Sequence, residues 1–168
     1  MVSDEIQAGL KLVRDILNTS DVSVVVVKNN QVLTKKKGAG IKPIIYAIEE
    51  LGENIHESIL GDRILGKASS LLCRYAKIKA VYSPQATKTA IALLIKGSIP
   101  VQVDHIIPYV TNRDRSGLCP FEKMLENITE PEIAYNILTK IIKTDFNTAQ
   151  QAVIDPITSR DITGEDVS

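Results

Sequence analysis

Four consecutive valines at residues 24–27 constrain the fold of this chain more than any other feature. The run is too short for a helix, and its β-branched side chains suit a strand that is buried on both faces. Such a strand needs other elements packed against each side. We therefore expect a layered α/β domain with this strand inside it.

Helix and strand patterns alternate along the rest of the chain. After a capped first helix, the Asn29-Asn30 turn leads from the valine strand into a second strand at residues 31–34. Further helices are predicted at 43–51, 62–76 and 87–95, and further strands at 79–82, where Ser83-Pro84 ends the strand, and 101–107. Because helices separate the later strands, those strands should be parallel neighbours joined by right-handed crossovers. The expected fold class is a three-layer α/β/α sandwich with a mixed, mostly parallel sheet.

Composition narrows the classes of partner. The 20 basic and 20 acidic residues cancel, so charge provides no signal for nucleic-acid binding. The acidic N-terminus and the lack of a long apolar run predict a cytoplasmic protein without membrane partners. Cys73 and Cys119 are isolated in the sequence, which favours neither a disulfide framework nor paired metal ligands.

Residues 112–122 gather polar and reactive side chains around a glycine turn. The cluster follows the predicted strand at 101–107 and precedes a predicted helix, so it falls where open α/β sheets place ligands. The candidate ligand-binding residues in it are Asn112, Arg113, Asp114 and Gly117. Asx side chains before a glycine turn often satisfy backbone N–H groups instead, and we expect that structural role for at least one of Asn112 and Asp114.

Cys119 is the candidate nucleophile or redox thiol of this cluster. If Pro120 begins the helix, the thiol lies at the positive end of the helix dipole, which favours thiolate. Glu122 is predicted in the same helical turn, where it could assist catalysis or compensate the dipole. The alternative is that Cys119 is a small apolar plug. His105 is the only plausible base upstream, and a core or edge histidine is the more common role for such a residue.

The order of elements and four short stretches carry a resemblance. GDRILGKA at residues 61–68, KAVY at 79–82, PYVTNRD at 108–114 and GLCPFE at 117–122 resemble a small uncharacterised prokaryotic family, known only as a domain of unknown function. That family has a cytidine-deaminase-like fold. The resemblance covers about residues 5–127, and it implies the same fold for this chain.

The resemblance also implies that this chain has the cleft of the deaminases without the residues that bind zinc in it. Deaminases of this fold take zinc from a His-x-Glu helix start and a Pro-Cys-x-x-Cys turn, whereas this chain has GKA at residues 66–68 and SPQAT at 83–87. We therefore expect no cofactor and no zinc-dependent deamination. Lys67 stands about where a ligand or the catalytic glutamate would be, so its charge could stabilise an anion or the Cys119 thiolate. Together with Asp62 and Arg63, Lys67 forms one predicted wall of the cleft. Asp62 is also a candidate N-cap of the predicted helix.

Three hypotheses about function and one about domains follow. The chain could bind a small anionic or nucleotide-like ligand in the cleft, act as a thiol enzyme through Cys119 with Lys67 or Glu122, or serve as a structural or regulatory subunit of a homo-oligomer. We expect a deaminase-like domain at residues 1–127, an additional helix at 128–144, and a polar tail at 145–168 that is disordered or docked on a partner. Whether the chain is an enzyme stays open on the sequence.

Overall fold

The computed structural model describes residues 2–112 and 115–154, the last ten of them by their backbone alone. Two compact units divide the chain, Met1–Tyr135 and Asn136–Ser168. The first unit contains the whole sheet, and the division falls inside the last helix. Within the described residues, no helix combines the length and apolar character needed to cross a membrane.

Six strands and six helices make up the described chain. The strands are β1 (Val24–Lys28), β2 (Gln31–Lys36), β3 (Ile59–Asp62), β4 (Ile64–Leu65), β5 (Ala80–Thr87) and β6 (Val101–Ile107). The helices are α1 (Asp4–Thr19), α2 (Lys42–Leu51), α3 (Lys67–Tyr75), α4 (Lys88–Lys96), α5 (Pro120–Met124) and α6 (Pro131–Ile154), with a 3-10 turn at Gly52–Ile55.

The strands form one mixed sheet. β1 pairs antiparallel with β2 on one side and with β3 on the other, while β5 pairs parallel with β3, β4 and β6. Helices α3 and α4 are the crossovers that connect the parallel strands. The predicted three-layer α/β/α class with a mixed, mostly parallel sheet is confirmed.

Both faces of β1 are buried, as the valine run predicts. Val25 and Val27 join a cluster with Leu10, Val13 and Leu17 of α1. The alternate residues Val24 and Val26 point to the other face and are also buried, at 2% and 0% exposure. Helix α2 contacts β1 and β2, and α4 contacts β5 and β6.

Two predicted boundaries within the sheet region were wrong. The helix predicted at 62–76 begins only at Lys67, because residues 59–65 form strands β3 and β4. β5 does not end at Pro84 but continues to Thr87. The ladder tolerates Pro84 because β3 pairs with β5 up to Tyr82, β4 pairs from Gln85 onward, and β6 pairs with the residues on either side of the proline.

The C-terminal boundary also differs. Helix α6 runs to Ile154, so the predicted limit at residue 144 falls inside it, and residues 145–154 of the predicted tail are helical. Alanine and glutamine at residues 149–152 have good helix propensity, which offsets the loss of apolar periodicity there. Residues 155–168 of that tail lie outside the described part of the chain.

Candidate functional site

The carboxyl ends of β4, β5 and β6 meet at one edge of the sheet. Helix α3 begins after β4, and α4 begins directly after β5, where the Thr87 hydroxyl accepts from the Ala90 amide at 3.1 Å. Open α/β sheets bind ligands at such an edge. The strand topology therefore brings two helix starts to the place where the sequence predicts a cleft.

Glu122 of α5 binds the start of α3. Its Oε1 accepts a hydrogen bond from the Lys67 backbone N–H at 2.7 Å, and its Oε2 accepts from the Ala68 N–H at 2.8 Å. Gly66 makes room for this contact, because a Cβ there would overlap Glu122 Oε1 and lie 2.6 Å from Val110 Cγ2. The Glu122 carboxylate thus caps α3 from 55 residues away in the chain.

The Lys67 side chain binds the turn that follows α5. Its Nζ donates to the backbone oxygen of Glu126 at 2.9 Å, and the residue is partly exposed. The sequence predicts Lys67 in the wall of the cleft that also holds Asp62 and Arg63, and Glu122 in the separate cluster at residues 112–122. The structure brings them together through the α3 start, with the lysine backbone holding the carboxylate.

Cys119 is the N-cap residue of α5, and Pro120 is the first helical residue as predicted. The residue is 8% exposed, and its backbone N–H donates to Val110 at 2.9 Å. The sequence left two roles open for Glu122, which were assistance to this thiol and compensation of the helix dipole. Its carboxylate points instead to the α3 backbone, where both oxygens are occupied.

The Asn112 side chain organises the glycine turn. Its Oδ1 accepts from the backbone N–H of Ser116 at 3.0 Å and of Gly117 at 3.3 Å, and its Nδ2 donates to Ser116 Oγ. This is the structural Asx role that the sequence predicts for one of the two Asx residues. Arg113 and Asp114 lie outside the described residues. At Gly117 a Cβ would meet open space, so close packing does not require glycine there.

Asp62 is buried beneath α3 and is not its N-cap, because the N-cap is Gly66. Burial raises the pKa of this carboxyl to about 7, against a smaller opposing effect from its hydrogen bond with Ser69. Cys73 lies one helical turn after Ser69 and is fully buried. Burial, and then the nearby Asp62 charge, raises the Cys73 thiol pKa well above its usual value.

Arg63 points away from Asp62, toward the end of α1. Its guanidinium donates to the carbonyl oxygens of Leu17 at 2.8 Å, Ser20 at 3.1 Å and Val22 at 2.6 Å. A guanidinium is well suited to this task because its planar fork can reach several acceptors at once. Asp62 and Arg63 were predicted as one wall of the cleft, but they face opposite layers of the sandwich.

Sequence reasoning missed a row of exposed side chains across this edge. Ile64 of β4 pairs with Gln85 of β5, which pairs with His105 of β6. All three side chains are exposed, Ile64 at 45%. The row was hidden because Pro84 predicts a strand end before Gln85, and because β4 was assigned to a helix.

Among the described residues at this edge, no set of side chains fits a zinc ion. The α3 start offers a lysine, and its backbone N–H groups already bind a carboxylate. In the described part of the chain, no three His, Cys, Asp or Glu side chains lie close enough together to hold a metal ion. The two N–H groups at the α3 start are of the kind that binds anions in proteins, and here their partner is the Glu122 carboxylate.

Among the solved structures that are similar to this chain is one from a family of unknown function. The crystal structure of a DUF1893 family protein (TM1506) from Thermotoga maritima is 23% identical, with a TM-score of 0.73. The match covers 83% of this chain and 92% of the Thermotoga chain. This likeness shows a shared fold.

Deaminases also match, at much lower similarity. The dCMP deaminase from cyanophage S-TIM5 is 18% identical with a TM-score of 0.43, over 61% of this chain and 99% of the deaminase. Acinetobacter baumannii RibD is 16% identical with the same TM-score, over 59% of this chain and 34% of RibD. At these TM-scores no deaminase property is transferred to this chain.

Sequence comparison identifies the family. No curated protein matches the chain. The family model described as TM1506, domain of unknown function (DUF1893), matches residues 12–142, which is most of the chain and includes the α3 start, the exposed row and α5. The resemblance to a family of unknown function is thereby confirmed: this chain belongs to the DUF1893 family.

Proposed function

We propose that this chain is a zinc-free binding module for a small anionic, nucleotide-like ligand, held at the carboxyl edge of β4, β5 and β6. The observation that carries the proposal is the Glu122 carboxylate on the Lys67 and Ala68 N–H groups. An anion already occupies this place, supplied by the chain itself. A ligand phosphate or carboxylate would take the same two donors.

The surroundings of this carboxylate support the proposal. Gly66 has no side chain to obstruct the place that the Glu122 carboxylate occupies. Lys67, which provides one of the two donors, also carries an ammonium, and this group binds the Glu126 carbonyl. A phosphate offers more acceptor oxygens and more negative charge than Glu122, so it can compete for N–H groups at a helix start. Ligand binding then requires the Glu122 side chain to leave, which lowers the apparent affinity.

The thiol-enzyme hypothesis has less support. Glu122 was its candidate assistant, and both carboxylate oxygens accept bonds from α3. The homo-oligomer hypothesis rests on residues beyond 127 and is addressed by truncation after Asn127 and a mass measurement in solution. An unchanged assembly state would reject it.

Thermal unfolding with inorganic phosphate and nucleoside monophosphates, at constant ionic strength, tests the binding proposal. A ligand at 100 times its Kd stabilises the folded chain by about 2.7 kcal/mol. We expect stabilisation by phosphate-bearing compounds, a stronger effect in Glu122→Ala because the internal competitor is gone, and a weaker one in Lys67→Ala. Glu126→Ala is the matched control, since only the backbone oxygen of that residue is used.

One pattern of results contradicts the proposal. If phosphate and the monophosphates leave unfolding unchanged in both the unmodified chain and Glu122→Ala, the α3 start does not bind anions. The Glu122 contact would then serve only to attach α5 to α3.

A further inference from the structure

The exposed row is unusual because its centre lies on an interior strand. β5 has paired neighbours on both sides, yet Gln85 is exposed, the only exposed residue of that strand. The other residues of β5 are less exposed. Val81, for example, lies between Leu60 of β3 and Val101 of β6, where Val81 and Leu60 are buried and Val101 is half-buried. A polar side chain that is open to solvent on an interior strand marks a place where no helix among the described residues covers the sheet.

This place lies on the α3 face of the sheet. Asp62 hydrogen-bonds Ser69 of α3, and Arg63 reaches the end of α1 on the opposite face. Strand side chains alternate, so Ile64 returns to the α3 face, and its register partners share that face. Lys67 is the third residue after Ile64, which puts their Cα atoms within about 11 Å of each other.

The row has the chemistry of a ring-binding surface. An amide offers an acceptor and a donor side by side, an imidazole offers one of each, and Ile64 offers an apolar flank. Neighbouring strands are about 4.8 Å apart, so the row is roughly 10 Å wide, enough for a flat heterocycle. The Gln85 backbone is held in place because Ser83 Oγ donates to its carbonyl at 2.7 Å and accepts from its N–H at 3.3 Å.

We propose that Ile64, Gln85 and His105 bind the ring of the ligand, a planar heterocycle with an adjacent donor and acceptor on its edge. This inference rests on the proposed function, because the anionic end of the same ligand would lie at the α3 start. Gln85 reads the ring edge through its amide, as glutamine reads base edges in nucleic acids. Ile64 covers one side of the ring.

Titration calorimetry with two classes of probe tests the inference. Ribose 5-phosphate carries the anion without a ring, while purine and pyrimidine nucleoside 5′-monophosphates carry both. We expect at least one nucleotide to bind about tenfold more tightly than ribose 5-phosphate, the gain typical of one bidentate amide contact. Gln85→Ala should remove that preference and leave ribose 5-phosphate affinity unchanged.

Gln102→Ala is the matched control, because Gln102 is an exposed glutamine on β6 outside the row. If every nucleotide binds no more tightly than ribose 5-phosphate, the ring site is rejected and anion binding stands. If neither class binds, both proposals are rejected. An equal loss in Gln85→Ala and Gln102→Ala would also overturn the assignment of the row.

Discussion

Two carboxyl side chains contact helix α3, and their surroundings differ in whether they stabilise a negative charge. Asp62 lies under the helix, where burial raises its pKa to about 7. Glu122 lies at the first turn, where both oxygens accept backbone hydrogen bonds. The same helix therefore disfavours a charge on its buried face and favours one at its start. Our binding proposal accordingly assigns the ligand anion to the helix start and not to the strand end at Asp62.

The largest expected effect is on the pH dependence of stability, and it tests the Asp62 side of this comparison. Raising its pKa from 3.8 to about 7 costs the ionised folded state about 4 kcal/mol. Between pH 3.8 and about 7, the folded chain keeps a proton on Asp62 that the unfolded chain has lost. The contribution of Asp62 to the free energy of unfolding therefore falls as pH rises, and it is gone above about pH 7. We expect Asp62→Asn to stabilise the chain at about pH 8 and to flatten the pH dependence measured by urea unfolding.

Asp21→Asn is the control for that measurement. The exposed Asp21 carboxyl has a lowered pKa because Lys37 hydrogen-bonds it, so its removal should change the pH slope in the opposite direction. Identical pH profiles for the unmodified chain and Asp62→Asn would show that Asp62 is not desolvated.

The second effect concerns Glu122. Replacing it with alanine leaves the N–H groups of Lys67 and Ala68 without their acceptors, which should cost about 2 kcal/mol of unfolding free energy. Glu122→Gln keeps one acceptor oxygen and should cost about half as much. Urea unfolding measures both, and Glu126→Ala should stay near the unmodified chain. Equal costs in all three variants would mean that helix capping is not the cause.

A smaller effect on stability is expected at Arg63, the neighbour of Asp62 in the chain. Arg63 follows Asp62 but serves α1, so Arg63→Lys should lose most of the three carbonyl contacts and cost about 1.5 kcal/mol. Its loss should not alter phosphate binding. Reduced phosphate affinity at unchanged stability would instead return Arg63 to the ligand site.

The last prediction concerns the reactivity of the two cysteines toward an alkylating reagent, not the stability of the fold. Cys73 is fully buried with a raised thiol pKa, so iodoacetamide should leave it unmodified in the folded chain at neutral pH. Cys119 is slightly exposed and should react first. Mass spectrometry of tryptic peptides reports both. Equally slow labelling of the two cysteines would count against the thiol-enzyme hypothesis.

Local sequence patterns predict the elements whose signals are internal to them. The valine run, the Asn29-Asn30 turn and strand β6 all appear where their residues predict them. β3 was missed because only Ile59 and Leu60 are apolar. Gly61 is there for packing, since a Cβ would lie 2.9 Å from Leu17 Cδ1, and a glycine followed by an aspartate has the pattern of a helix start.

The candidate site is less predictable because its contacts are long-range. Cys119 and Pro120 do form a helix start, as the local pattern indicates. No spacing rule predicts that Glu122 binds the backbone of Lys67, because tertiary packing brings the two residues together. The exposed row depends on the register of three strands, which a single sequence does not specify.

The Glu122 contact also supplies two built-in probes of motion. The amide protons of Lys67 and Ala68 can exchange with solvent deuterium only after the carboxylate departs, so their exchange rates report how often α5 lifts from α3. An anion that takes the place of Glu122 would protect the same two protons while α5 becomes freer. Protection that persists at α3 while it declines at α5 would record the exchange of an internal ligand for an external one.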